Sequence, residues 1–268
     1  TVTGVYFPGL SSRLGVPDAT ALIGVSAILL ALAAADLAVA LPMTVDLELV
    51  LAVDVSRSID DDEYNLQKQG YADAFTHPAV LSAIQANPHH RIAVTMVEWA
   101  GADFQKVVVP WTVISDPESG QLLSETIRQA PRSFWGWTSI SGAIDFSAKL
   151  FGQEGMESTR RVIDVSGDGV NNSGRPAAMA RDDAVAAGVT INGLAIMNDR
   201  PTPGFGSQRP QPPLDDFYRE NVIGGTGAFL IAIDDFETFA HAIVNKLIKE
   251  IAGFPTDLDL RIAELHPQ

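Results

Sequence analysis

"LAVDVSRSID" occupies residues 51–60, and its reading decides the fold. With the preceding residues it forms an almost continuous apolar run from Leu47. A strand written this way is buried on both faces, which marks a central strand of a parallel sheet. The run ends in Asp54, and Ser56 and Ser58 follow at alternate positions. Oxygen side chains at the end of a buried strand are costly unless something partners them.

Outward from this stretch, strand and helix patterns alternate. Apolar runs predict strands over 91–100, 105–112, 189–196 and 228–233. Pro110 places the strand over 105–112 at a sheet edge. "RRVIDVSGDG" (160–169) starts as a strand and breaks into a glycine turn. Helices are predicted over 62–75, 115–129, 140–151, 176–187 and 236–251. The fourth opens on a proline, which the first helical turn tolerates. This alternation predicts an α/β domain, doubly wound, with a mostly parallel central sheet flanked by helices and right-handed crossovers. The Pro- and Gly-rich segment 198–213 reads as a long loop, either a plain connector or a binding element.

The 33 acidic residues outnumber the 18 basic ones, for a net charge of −15. That balance repels nucleic acid and anionic lipid and argues against either as the main partner. Cysteine is absent, which removes disulfides, thiolate metal sites and cysteine nucleophiles together. Residues 19–35 carry no charge, and the small residues Ala38, Val39 and Ala40 follow. Residues 1–40 are therefore expected to be a signal peptide or hydrophobic anchor, with export to the periplasm or beyond. The folded domain is expected over 41–253, with a tail over 254–268.

In an open α/β sheet, ligands sit beyond the carboxyl ends of the strands. Asp54 ends one predicted strand, and Asp168 lies in the turn after another. Two carboxylates there approach each other unfavourably unless something positive lies between them. Ser56 and Ser58 add hydroxyls, and Thr138, before the helix over 140–151, supplies one more. Few carboxylates, several hydroxyls and no soft ligand suit Mg2+, or the similar Mn2+.

Together, "DVSRS" (54–58), the threonine opening "TSISGAIDF" (138–146) and the aspartate of "SGDG" (166–169) resemble the metal-ion-dependent adhesion site of von Willebrand factor A domains. The resemblance covers about 45–251 and is nearest to a branch of secreted bacterial proteins. It implies that Asp54, Ser56, Ser58, Thr138 and Asp168 hold the metal. The hydroxyls would bind directly and the aspartates often through water. It further implies that a protein partner supplies an acidic side chain to the open position. The family's last loop often reads Thr-Asp-Gly; here it is Ser166-Gly167-Asp168-Gly169, which leaves the placement of Asp168 open.

Plainer readings exist for single residues. Ser56 or Ser58 alone could cap the following helix. Asp60, Asp61 and Asp62 read as an acidic first turn complementing the helix dipole. Trp135 and Trp137 are either core residues or exposed anchors beside the metal. His89 and His90 read as solvent-exposed turn residues, and no histidine falls near a predicted strand end. An alternative is a Mg2+-dependent haloacid-dehalogenase-like phosphatase with Asp54 as nucleophile, on the strength of "GDGVNN" (167–172). Such enzymes need an acid two residues after the nucleophile, where this chain has Ser56, and Asn172 replaces a later acid. The expected function is binding, not catalysis.

Overall fold

The structure is a computed structural model that describes residues 42–152, 155–197, 213–234, 236 and 238–253. In chain order the elements are β1 (Met43–Val45), β2 (Leu47–Asp54), α1 (Asp61–Ala74), α2 (Pro78–Gln85), β3 (Ile92–Trp99) and β4 (Gln105–Ile114). Then come α3 (Pro117–Gln129), α4 (Ile140–Ala148), β5 (Met156–Ser158), β6 (Arg161–Gly167) and α5 (Ala177–Ala186). The last are β7 (Thr190–Ile196), α6 (Leu214–Asn221), β8 (Leu230–Ile233) and α7 (Phe239–Ala252).

Six strands form one sheet in the order β4-β3-β2-β6-β7-β8. Neighbours are parallel except β4, which runs antiparallel to β3 at the edge, with Pro110 exposed. All eight residues of β2 are buried, in keeping with its almost continuous apolar run. Leu47, Leu49, Leu51 and Val53 pack with residues of α1, α2, α3 and α7. Val50 and Ala52 point the other way, into the core beneath α4, α5 and α6. Both faces are thus covered, and the doubly wound mostly parallel architecture read from the sequence is present.

Several elements differ from expectation. The eight-residue helices α2 and α6 are too short for their periodicity to stand out in the sequence. α4 ends at Ala148, so Phe151 lies beyond it and packs against Trp111. β1 pairs in parallel with β5 to make a separate two-stranded sheet. α1 is capped by Asp60, not by either serine: the Asp60 side chain accepts from the Glu63 N–H at 2.8 Å and Glu63 accepts from the Asp60 N–H at 2.9 Å. The expected signal segment (1–40), the C-terminal tail (254–268) and all but the last residue of the loop over 198–213 lie outside the described residues. Among the described residues, no helix is long and apolar enough to cross a membrane.

One feature of the core is polar. Lys246 of α7 is fully buried, with its Nζ 2.6 Å from a carboxylate oxygen of Asp164 on β6. It also pairs with Glu250, whose carboxylate accepts from Asn192 of β7 at 3.0 Å. Burial alone would lower the Lys246 pKa; the Asp164 and Glu250 carboxylates overcome this and raise it. This group ties α7 to the middle of the sheet at one register. Removing one member of a buried ion pair strands the other charge. Lys246→Met is therefore expected to cost about 3–5 kcal/mol in urea unfolding, and adding Asp164→Asn to recover part of that loss.

Candidate metal centre

The chain leaves β2 toward β3 on one side, and β6 returns on the other. The crevice beyond the ends of β2 and β6 is therefore the point where the winding reverses, the usual ligand position in such sheets. Asp54 is the last residue of β2, and Asp168 follows the last residue of β6. Thr138 precedes Ser139, which caps α4.

The five residues named from the sequence form one connected set. The Ser56 N–H donates to Asp54 Oδ1 at 2.7 Å. Ser56 Oγ and Ser58 Oγ lie 3.1 Å apart, and Thr138 Oγ1 donates to Ser56 Oγ at 3.5 Å. Ser58 Oγ donates to Asp168 Oδ1 at 2.6 Å, so the additional glycine does not carry Asp168 out of the site. Neither serine caps α1, which leaves both hydroxyls for the crevice.

The electrostatics of this set of oxygens favour a positive charge beside it. Asp54 is fully buried, and its Oδ2 has no hydrogen-bond partner. Burial, and then the nearby Asp168 carboxylate, push the Asp54 carboxyl up to about 8. Asp168 is pushed up to about 6 by burial, with Glu63 adding to the rise against the hydrogen bond from Ser58. A cation is the species that would favour both carboxylates in their charged form. Adjacent ligands of octahedral Mg2+ are spaced by about 3.0 Å, given bonds of about 2.1 Å. The 3.1 Å between Ser56 and Ser58 hydroxyls matches that spacing. Among the described residues there is no cluster of three His, Cys, Asp or Glu, so the donor set is hydroxyl-rich and hard. The residues present fit a small divalent cation.

Gly167 has a steric reason. A β-carbon there would lie 2.8 Å from Asp54 Oδ2 and 2.9 Å from the Tyr218 hydroxyl. Tyr218 comes from α6, is fully buried and has no partner for its hydroxyl. The two unpartnered oxygens thus converge on the space that glycine keeps open.

Sequence reasoning missed the residues that hold the loops in place. Arg132 donates to the carbonyls of Val55 (3.0 Å), Ser56 (3.2 Å) and Ile59 (2.8 Å), clamping the loop that bears the serines. Asn172 Oδ1 accepts from the Thr138 N–H at 2.9 Å, and Asn171 Oδ1 accepts from Ser141 at 3.0 Å. These asparagines join the Asp168 loop to the threonine loop. Asn172, where a phosphatase would carry an acid, positions Thr138 through its amide. A lone Arg or an Asn pair has no period or spacing that would reveal such a role.

The exposed surface beside the site is aromatic. Trp135 and Trp137 are 57% and 61% exposed, which decides against their being core residues. The Arg132 guanidinium stacks on Trp135 at 3.7 Å. Glu98, buried at the end of β3, accepts from the Ser133 N–H at 2.7 Å and from Tyr64 at 2.8 Å. The Arg57 N–H donates to the Gly136 carbonyl at 3.0 Å. The tryptophans therefore stand on a loop fixed at several points.

The model of a family described as "Protein of unknown function (DUF1194)" matches residues 44–255. Curated proteins give no match. Among solved structures, the conserved hypothetical protein BatB from Bacteroides thetaiotaomicron is 22% identical, with a TM-score of 0.49, and 77% of this chain covers 98% of it. The proximal thread matrix protein 1 of the mussel byssus, in a form with a zinc-occupied MIDAS motif, is 16% identical with a TM-score of 0.51. That match covers 79% of this chain and 47% of the mussel chain. A von Willebrand factor type A protein from Catenulispora acidiphila is 16% identical with a TM-score of 0.52, over 78% of this chain and 43% of that one. The domain has the von Willebrand factor A fold.

Two expectations follow from the site. Because the Asp54 and Asp168 pKa values are raised in the fold, the folded protein holds more protons than the unfolded chain above about pH 4. Its metal-free stability should fall as pH rises from about 4 to about 8, and Mg2+ should restore it at the upper end. Thermal melts at pH 5 and pH 8, with and without Mg2+, read this directly, and Asp54→Ala should abolish the Mg2+ effect. Gly167→Ala should destabilise by about 1–3 kcal/mol through overpacking and weaken the response to Mg2+, measured in the same melts.

Proposed function

The chain belongs to the DUF1194 family, and on that premise we propose that its domain binds a partner protein through a divalent cation, Mg2+ or Mn2+. Ser56, Ser58 and Thr138 would hold the ion through their hydroxyls, and Asp54 and Asp168 through their carboxylates. When bound, the ion supplies a positive centre with a coordination position left for a carboxylate of the partner. The observation that carries this reading is the fully buried, unpartnered Oδ2 of Asp54 among hydroxyls spaced as adjacent ligands.

The chain's own residues would do the rest. Arg132 and the asparagines hold the loops so that the oxygens are preorganised before the partner arrives, which lowers the ordering cost of association. Trp135 and Trp137 offer large, rigid apolar surfaces beside the ion, the residue type that dominates binding energy at protein interfaces. The overall charge of −15 repels acidic partners at a distance, so a local positive centre is what would select a partner carboxylate. We assign the site to binding, not catalysis. Ser56 stands where a phosphatase would need its general acid, and Asn172 is engaged in holding Thr138. We further propose that the domain works outside the cytoplasm, after export directed by residues 1–40. The support is the uncharged segment over 19–35 followed by Ala38-Val39-Ala40. N-terminal sequencing of the protein from its host tests this; a product that retains 19–35 would contradict cleavage.

Binding is tested by capture of partners on the immobilised domain, in Mg2+ and in chelator. The reading expects partners that appear in Mg2+ only. The same partners in both conditions would place recognition elsewhere. Trp135→Ala or Trp137→Ala should weaken a captured partner by about 2 kcal/mol and leave the circular dichroism spectrum unchanged.

A further inference from the structure

A second concave site lies at the opposite pole of the sheet. It is lined by the starts of β6 and β7, the turn before β8 and the C-terminal end of α7, and it encloses about 270 Å³. β6, which runs to the metal centre, begins here, and the two sites share no residues. In a chain of net charge −15, the described residues of this cavity's wall include three cations, Arg160, Arg161 and Lys249, against one acid, Glu250.

The cations differ in how far acids engage them. Glu250 shares the buried Lys246 with Asp164, and the charges of Asp46 and Glu250 both act on Arg160. Arg160 donates to the carbonyls of Glu250 and Ile251, both at 2.6 Å, and so is fixed in place on the end of α7. Arg161 is 41% exposed, and its Nε lies 3.5 Å from a carboxylate oxygen of Glu48. Lys249 is exposed, and its Nζ lies 4.5 Å from the centre of the Phe229 ring, with no carboxylate in ion-pair range among the described residues. Arg161 and Lys249 therefore keep donors for something outside the chain.

The turn on the same wall adds backbone. "GGTG" runs over 224–227, with Gly225 at φ 94° and Gly227 at φ 73°, while Thr226 between them is not in the left-handed region. Turns of this kind offer backbone N–H groups to anions; here the Thr226 carbonyl accepts from the Thr190 hydroxyl at 3.2 Å. No side chain with a β-carbon fits easily at Gly225: a β-carbon there would stand 2.9 Å from the Thr190 Cα. Valines 162, 185 and 189 supply an apolar wall beside the charges.

We propose that this cavity is a binding site for a small phosphate monoester. A tetrahedral anion with several acceptor oxygens matches cationic donors arriving from β6 and α7 together with turn amides, and the valine wall takes a small apolar body. The cavity volume leaves room for a ring or short chain beyond the phosphate and excludes a polymer.

The test is calorimetric titration of the full chain with phenyl phosphate in metal-free buffer, with inorganic phosphate and benzoate as comparisons. Saturable binding at one site per chain is expected, with phenyl phosphate tighter than inorganic phosphate and than benzoate. Lys249→Met and Arg161→Gln should each weaken it by about tenfold or more, and Lys249→Met should leave melting in the absence of ligand unchanged. Asp54→Ala should leave it unchanged, which separates this site from the metal centre. Absence of saturable binding, binding indifferent to Lys249→Met and Arg161→Gln, or benzoate bound as tightly as phenyl phosphate would overturn the assignment.

Discussion

Two carboxylates brought together at the reversal point of a parallel sheet set the terms for the rest of this structure. Asp54 is fully buried with one oxygen unpartnered, and Asp168 sits within reach of the same hydroxyls. Left alone, the arrangement drives both groups toward protonation. Most of what surrounds them makes sense as support for a charge that would reverse this. Gly167 clears the space next to Asp54 Oδ2. Arg132 holds the loop of serines by its carbonyls rather than by their hydroxyls, so the clamp does not compete for the oxygens that face the crevice.

The cost of this design is visible deeper in the fold. Polar side chains continue along the α1–α7 face of β6, where Ser166 meets Tyr71 at 3.3 Å and Asp164 meets Lys246. Ile163 and Val165, on the opposite face, are ordinary core residues. A buried ionic group adds little net stability over an apolar one, but it is intolerant of mispairing. Lys246 has one place on β6 where its charge is met, and α7 is therefore held in a single register against the sheet that carries the metal centre.

Much of this was legible in the sequence. The almost continuous apolar run of β2 marked it as a central strand, and Pro110 marked β4 as an edge. The alternation of strands with helices was enough for the architecture, because covering both faces of a parallel sheet leaves few other solutions. The five oxygen-bearing residues could be named because four of them follow the ends of strands β2 and β6 and the fifth, Thr138, lies just before a helix, in loops that chain topology brings together. The helices α2 and α6 escaped because eight residues give barely two turns of pattern. Arg132, Asn171 and Asn172 escaped for a different reason. They act on backbone groups, and a side chain that meets a backbone atom leaves no partner residue type to search for. The exposure of Trp135 and Trp137 was open in the sequence, since a tryptophan pair reads alike in a core and on a rim. Tyr218 shows the limit most clearly: its hydroxyl reaches the Asp54 side of Gly167 from a helix more than 150 residues along the chain from β2.

A crystal of the domain grown in Mn2+, with anomalous diffraction collected at the manganese edge, shows whether a divalent cation completes the oxygen set at the ends of β2 and β6. One strong anomalous peak is expected at bonding distance from Ser56 Oγ and Ser58 Oγ, adjacent to Thr138, and no such peak in crystals of Asp54→Ala. A crevice without that peak at saturating Mn2+, or a peak unaffected by loss of Asp54, would contradict that expectation.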